Sequence, residues 1–206
     1  MYTHRIGLAA VLVIGWAAPT LAADFSDPTW PCIQRKVETL SPALMWPEPL
    51  PETAPEGDLR AAAHDLAQTL ALRRVDLDSA AASVGDFADA HGRDPALMGA
   101  VFAETFESLS HRRSRIIKGI GEFAASQAAL SERIDAARAQ MDSLMAADDP
   151  DYDRIDALEE QIDWDSRIFN DRQRTITYLC ETPTLLEKRL YGLAQILHSA
   201  ASPDGG

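Results

Sequence analysis

The sequence predicts an all-α protein: a helical bundle base, a long projecting antiparallel coiled-coil hairpin, and a proline-rich N-terminal strap. Three observations carry this. A four-three apolar spacing runs unbroken through Phe102, Phe106, Leu109, Arg113, Ile116, Ile120, Phe123, Gln127, Leu130, Ile134, Ala137, Met141 and Leu144. A period of 3.5 residues excludes a strand and demands a second helix to cover the stripe. That helix follows a short turn later, through Ile155, Leu158, Ile162, Asp165, Phe169, Arg172, Ile176 and Leu179. Thirdly, no stretch alternates with the period of a strand, and no internal repeat is present.

The chain begins with the pattern of an export signal. Arg5 supplies a positive start, Ile6 to Ala18 is uncharged and apolar, and Thr20-Leu21-Ala22 offers small residues for cleavage after Ala22. The apolar run is short for a membrane span of ~20 residues. Residues 1–22 are therefore expected to be a signal peptide, with no membrane insertion after its cleavage and a periplasmic or secreted location. The formal charge is −13, and losing Arg5 makes it one unit more negative. Such a balance argues against nucleic acid and anionic membrane as partners, both of which attract basic patches. The two cysteines, Cys32 and Cys180, are an even pair, which an oxidising compartment converts to a bridge. Nothing has the C-x-x-C spacing of a redox or zinc site.

Residues 23–57 carry seven of the twelve prolines. Proline removes amide donors and fixes φ, so this is an extended strap, with a short helix expected near Cys32 to Leu40. Trp30, Val37, Leu44, Met45 and Trp46 give it apolar surface to dock with. Residues 58–198 form the helical domain. Asp58 is the expected cap of a first helix ending near Val75, and Asp78 or Ser79 of a second closed by Gly92. Asp94-Pro95 opens the long helix, with proline at its first position. Gly119-Ile120-Gly121 is its expected bend, and it ends near Ala147.

Asp149-Pro150 repeats the opening signal, so the hairpin spans residues 95–180 and its two arms are antiparallel. Pro183 is expected to end or kink the second arm. Leu185 to Leu197 then has an apolar face too broad for one seam, which places it in the bundle. Residues 199–206 form a flexible tail.

Four groups of residues are candidates for function. At the hairpin tip, Asp149, Asp151 and Asp153 have the D-x-D-x-D spacing that opens an EF-hand loop, and Glu160 falls at the twelfth position. The stretch resembles that Ca²⁺ loop but has Arg154 at its turn glycine and Asp156 at its apolar position. The competing reading is a helix start, capped by Asp149, with acids facing the positive end of the dipole. Gln127, Asp165 and Arg172 interrupt the seam and are expected to form one polar layer, which sets register at a cost in stability. Arg113, also on the seam, can reach Glu181 or Glu187. Trp164 and Ile168 lie one turn apart at the edge of the seam, where they either bind a partner or cover the flank of their own hairpin.

His111 to Arg115 with Lys118 is the concentrated basic stretch, and it lacks the glycine-rich cradle of a phosphate site. His64, His91, His111 and His198 form neither H-E-x-x-H nor the Glu-x-x-His pair of di-iron bundles. The function this implies is a non-enzymatic scaffold, adaptor or chaperone-like protein of the cell envelope. Its partner is another envelope protein or a second copy of itself, without a cofactor. The alternative is a Ca²⁺-binding module at the acidic tip.

Overall fold

A computed structural model describes residue 27 and residues 29 to 201. The expected signal peptide lies outside the described residues, as do residues 202–206; residues 199–201, expected in a flexible tail, are instead the last turn of a helix, with Ala201 buried. The described chain is all-α: four helices, with one 3-10 turn at Pro42–Leu44 ahead of them and no strand. The helices are α1 (Gly57–Leu70), α2 (Leu77–His91), α3 (Pro95–Met145) and α4 (Tyr152–Ala201).

Local chemistry sets most of the helix ends, with some shifts from expectation. Glu56, not Asp58, precedes α1, and Asp58 stands in the first turn near the positive end of the dipole. This helix stops at Leu70, short of Val75. Three consecutive carbonyls at its end are held by arginines from other helices. Arg189 donates to Leu70 and Leu72, and Arg112 donates to Ala71. Cations suit the negative end of a helix, and here they also fix α1 to α3 and α4.

Asp76 caps α2, accepting from the Ser79 amide at 2.7 Å, so this helix begins earlier than Asp78. Gly92 closes it at φ +96°, a conformation that side chains with a Cβ rarely adopt. Asp94 caps α3 through the Ala96 amide, with Pro95 at the first position.

The helix α3 continues through Gly119-Ile120-Gly121 without a break. Gly121 faces the strap there, and a Cβ would lie 3.6 Å from the Thr29 carbonyl. Likewise α4 runs through Pro183 as one helix. Proline costs a helix one hydrogen bond and a clash with the carbonyl four residues back. Burial on both sides, through Cys180 and Leu186, holds the segments in line. No helix forms at Cys32 to Leu40, where the chain bends at Ile33-Gln34 and only Cys32 is buried.

The main core lies where α1, α2, the first third of α3 and the last third of α4 converge. Leu70, Val84, Met98, Phe102, Leu190 and Leu193 are fully enclosed there. Trp46 of the strap closes this core, stacked on Phe102 with ring centroids 4.9 Å apart and meeting His198 edge-on. Farther along, Leu130, Ile134 and Ala137 of α3 pack on Leu158 and Ile162 of α4. Between the two, Ile120 packs around Cys32 and Cys180. In this middle stretch Ile117 and Ala124 are buried, while the expected Ile116 and Phe123 are only part-buried. The strap crosses α3 here and covers a face that a two-helix pattern leaves open, with Thr29 and Lys36 near Ile117 and Pro31 near Ala124. Among the described residues no helix is long and apolar enough to cross a membrane.

Candidate functional site

Three places hold the residues singled out by chemistry: the seam between α3 and α4, the turn joining them, and the outer face of α4. In the seam, contact partners run in opposite order along the two helices. Arg113 meets Glu187, Gln127 meets Phe169, and Arg133 meets Asp165. Arg113 is 3% exposed; its Nε donates to Glu187 Oε1 at 2.7 Å, and Nη1 makes a long contact of 3.4 Å to the Glu38 carbonyl. One buried cation thus joins α3, α4 and the strap.

Gln127, Asp165 and Arg172 do not form a single layer. Gln127 donates to the Phe169 carbonyl at 3.2 Å, and Arg172 reaches Ser126 Oγ at 3.1 Å. Buried Asp165 accepts two bonds of 2.8 Å from Arg133, a fork-to-fork pair. These bonds hold the Asp165 carboxyl below the usual carboxylate range. Arg133 lies beside the seam stripe and was not expected as a partner. Its position next to Ile134, on the flank where charges pair across a coiled coil, was the available signal.

Cys32 and Cys180 are joined by a disulfide spanning 148 residues of sequence. It fixes the strap to α4 beside Ile120, with Trp30, Ile176 and Leu179 around it.

At the turn, Asp151 takes the capping role expected of Asp149, accepting from the Arg154 amide at 3.0 Å. Tyr152 then opens α4, so Arg154 and Asp156 are already helical. An EF-hand needs a flexible turn at that very point, and the helix denies it. Asp149 and Asp153 are exposed, and Glu160 sits more than a turn farther along α4. Among the described residues no group of three or more histidine, cysteine or acidic side chains is placed to hold a metal ion.

On the outer face of α4 the two expected partner residues separate. Ile168 is part-buried against the Leu130–Ile162 cluster and covers the seam flank. Trp164 is 62% exposed, beside Asp156, Glu159, Glu160 and Asp163. Tyr178 is 74% exposed on the same helix, and Leu185, expected within the bundle, is 56% exposed.

A cleft of about 610 Å³ lies between α1, α3 and residues 51–57 of the strap. His64 Nδ1 pairs with Glu104 at its rim, joining α1 to α3, with Arg60 and Glu107 nearby. Comparison with protein-family models, with curated proteins and with solved structures finds no match for the chain.

Proposed function

We propose that this chain is an exported, non-enzymatic interaction protein of the cell envelope, acting as a scaffold, adaptor or chaperone-like arm. In this reading residues 1–22 are a cleaved signal peptide and the mature protein is periplasmic or secreted. The arms α3 and α4 form an antiparallel coiled-coil hairpin that projects from the base built by α1, α2 and the joined ends of the arms. A disulfide is compatible with an oxidising compartment, and the charge of −13 disfavours nucleic acid.

The observation that carries the reading is the pairing of a closed inner seam with an open outer face on α4. Apolar residues of both helices fill the seam, yet Trp164, Tyr178 and Leu185 stand in solvent on the opposite side. Aromatic side chains anchor protein interfaces because they bury large areas with few rotors.

The experiment is crosslinking in the native envelope with a photoreactive residue at position 164. It is compared with the same residue at position 136, an exposed site on α3. A discrete adduct from 164 and none from 136 supports the reading. Equal, diffuse labelling from both positions rejects it.

A further inference from the structure

We propose that residues 29–39 of the strap are a redox-released cover: reduction of the Cys32–Cys180 bridge by a dithiol frees them from the hairpin and opens an apolar face of α3, while the base stays folded. This device works whether or not the chain takes a partner.

The first observation is where the strap is anchored. Between Cys32 and Trp46 no residue is buried, and Cys32 is the one buried residue from 29 to 39. Trp46 belongs to the base core, and Leu40 and Met45 pack against that core. The turn at Pro42–Leu44 is closed by bonds from Leu44 to Ser41 and from Met45 and Trp46 to Pro42. From Leu40 onward the chain is therefore held by the base. Before Leu40 the bridge is its one buried attachment.

The second is what this segment bonds to. Its polar groups turn mostly to the strap itself. The Trp30 amide donates to the Asp27 carbonyl, Trp30 Nε1 donates to the Gln34 carbonyl at 2.6 Å, and Lys36 pairs with Asp27 and Glu38. Its hydrogen bonds from the helices, among the described residues, both end on the Glu38 carbonyl, from Arg113 at 3.4 Å and Ser114 at 3.5 Å. Both are long and weak. Besides the bridge there remains Trp30, part-buried against the cluster around Cys180. Ordering a backbone costs entropy at every residue, and one part-buried indole with two long contacts does not offset it. The bridge removes most of that cost, because a loop pinned at Cys32 and Trp46 has little freedom left to lose.

The third is what lies underneath. A Cβ at Gly121 would lie 3.6 Å from the Thr29 carbonyl, Ile117 lies beside Thr29 and Lys36, and Ala124 lies beside Pro31. Ile117, Ile120 and Ala124 are buried with the strap in place. Gly119 and Gly121 weaken α3 at this point, so the helix leans on its cover here more than elsewhere. The rest of the fold has its own ties. Arg113 with Glu187 and Arg133 with Asp165 join α3 to α4 on either side, and neither the base core nor the Leu130–Ile162 cluster includes a residue from 29 to 39.

The chemistry is thiol–disulfide exchange. One thiolate of the dithiol attacks a bridge sulfur, forming a mixed disulfide and releasing the other cysteine. The second thiol then displaces the remaining cysteine. The dithiol ends as a disulfide, and Cys32 and Cys180 take up the two protons it gives up.

The test is hydrogen exchange of the mature protein by mass spectrometry, with and without dithiothreitol, with free thiols counted in parallel. On reduction, residues 117–124 are expected to exchange at least about tenfold faster, over labelling times in which residues 97–105 of the base core stay protected. Trp30 emission is expected to shift to the red, and Trp30→Phe to abolish that shift. Cys32→Ser/Cys180→Ser is expected to show the reduced pattern from the start and to ignore dithiothreitol. Two free thiols with unchanged exchange at 117–124 overturn the proposal, since the strap then holds without its bridge. Exchange that rises together at 117–124 and 97–105 overturns it too, as does a bridge that opens only when the helices melt. Should the serine variant fail to fold, the dithiothreitol arm decides alone.

Discussion

Removing the Glu187 carboxylate should destabilise the protein by about 2 kcal/mol, because it strands a buried guanidinium. Arg113 is 3% exposed, and its Nε and Nη2 both lie 2.7 Å from Glu187 Oε1. Its remaining contact, 3.4 Å to the Glu38 carbonyl, is too long to replace it. Breaking a fully buried pair costs about 3–5 kcal/mol. The Glu187 side chain is 35% exposed, so water can enter the space left by Glu187→Ala, and roughly half that cost is expected. Helix propensity works slightly the other way, since alanine favours helix by a few tenths of a kcal/mol. The double change Arg113→Met/Glu187→Leu removes both charges and should fall within about 1 kcal/mol of the wild type, as apolar replacements of buried pairs often do. Urea unfolding followed by far-UV circular dichroism measures all three, and the cycle isolates the pair. If Glu187→Ala cost less than about 0.5 kcal/mol, Arg113 would not depend on Glu187. The register of α3 against α4 argued from this contact would then be wrong.

Trp46→Ala should cost about 3–4 kcal/mol, the range for a large aromatic removed from a core, and lower the melting temperature by roughly 10 °C for a chain of this size. An unchanged melt would show that the strap does not close the base. Replacing Cys32 and Cys180 by serine should lower the melting temperature further, because the bridge closes a ring of 148 residues. The entropic model assigns such a ring up to ~5 kcal/mol. Protease should then cut within residues 29–50 before it cuts the helices. Asp165 provides a pH signature. Its folded pKa is depressed by the bonds from Arg133, so its stabilisation is present above the unfolded value and is lost as pH falls through the folded one. Melting of the wild type should therefore decline more steeply below about pH 4 than melting of Asp165→Asn; parallel profiles would refute the role assigned to this carboxylate.

The helical class and the pairing of two long helices were legible because heptad spacing is a local record of which face is covered. Asp94-Pro95 and Gly92 were equally readable, since a cap or a positive φ depends on few neighbours. Remote partners were not readable. Ile117 and Ala124 are buried because a strap dozens of residues earlier in the chain crosses them, and no periodicity within α3 encodes that. Asp149 and Asp151 flank the same proline, and only the backbone path decides which one caps α4. Arg133 answers Asp165 from the neighbouring helix, while Arg172, equally well placed by spacing, turns to Ser126. Continuity through Pro183 was obscured because local propensity opposes it and tertiary packing overrides it. On the outer face Leu185 looked like a bundle residue because it opens an apolar run, yet it is 56% exposed, and Tyr178 was not singled out because it lies outside the heptad stripe.

Small-angle X-ray scattering of dilute mature protein tests the projecting arm most directly. The 51 residues of α3 span ~77 Å at 1.5 Å each. The account predicts a maximum dimension near or above ~80 Å and a radius of gyration above ~20 Å. A compact particle with a radius of gyration near ~16 Å, the value for a globule of the mature length, would contradict it.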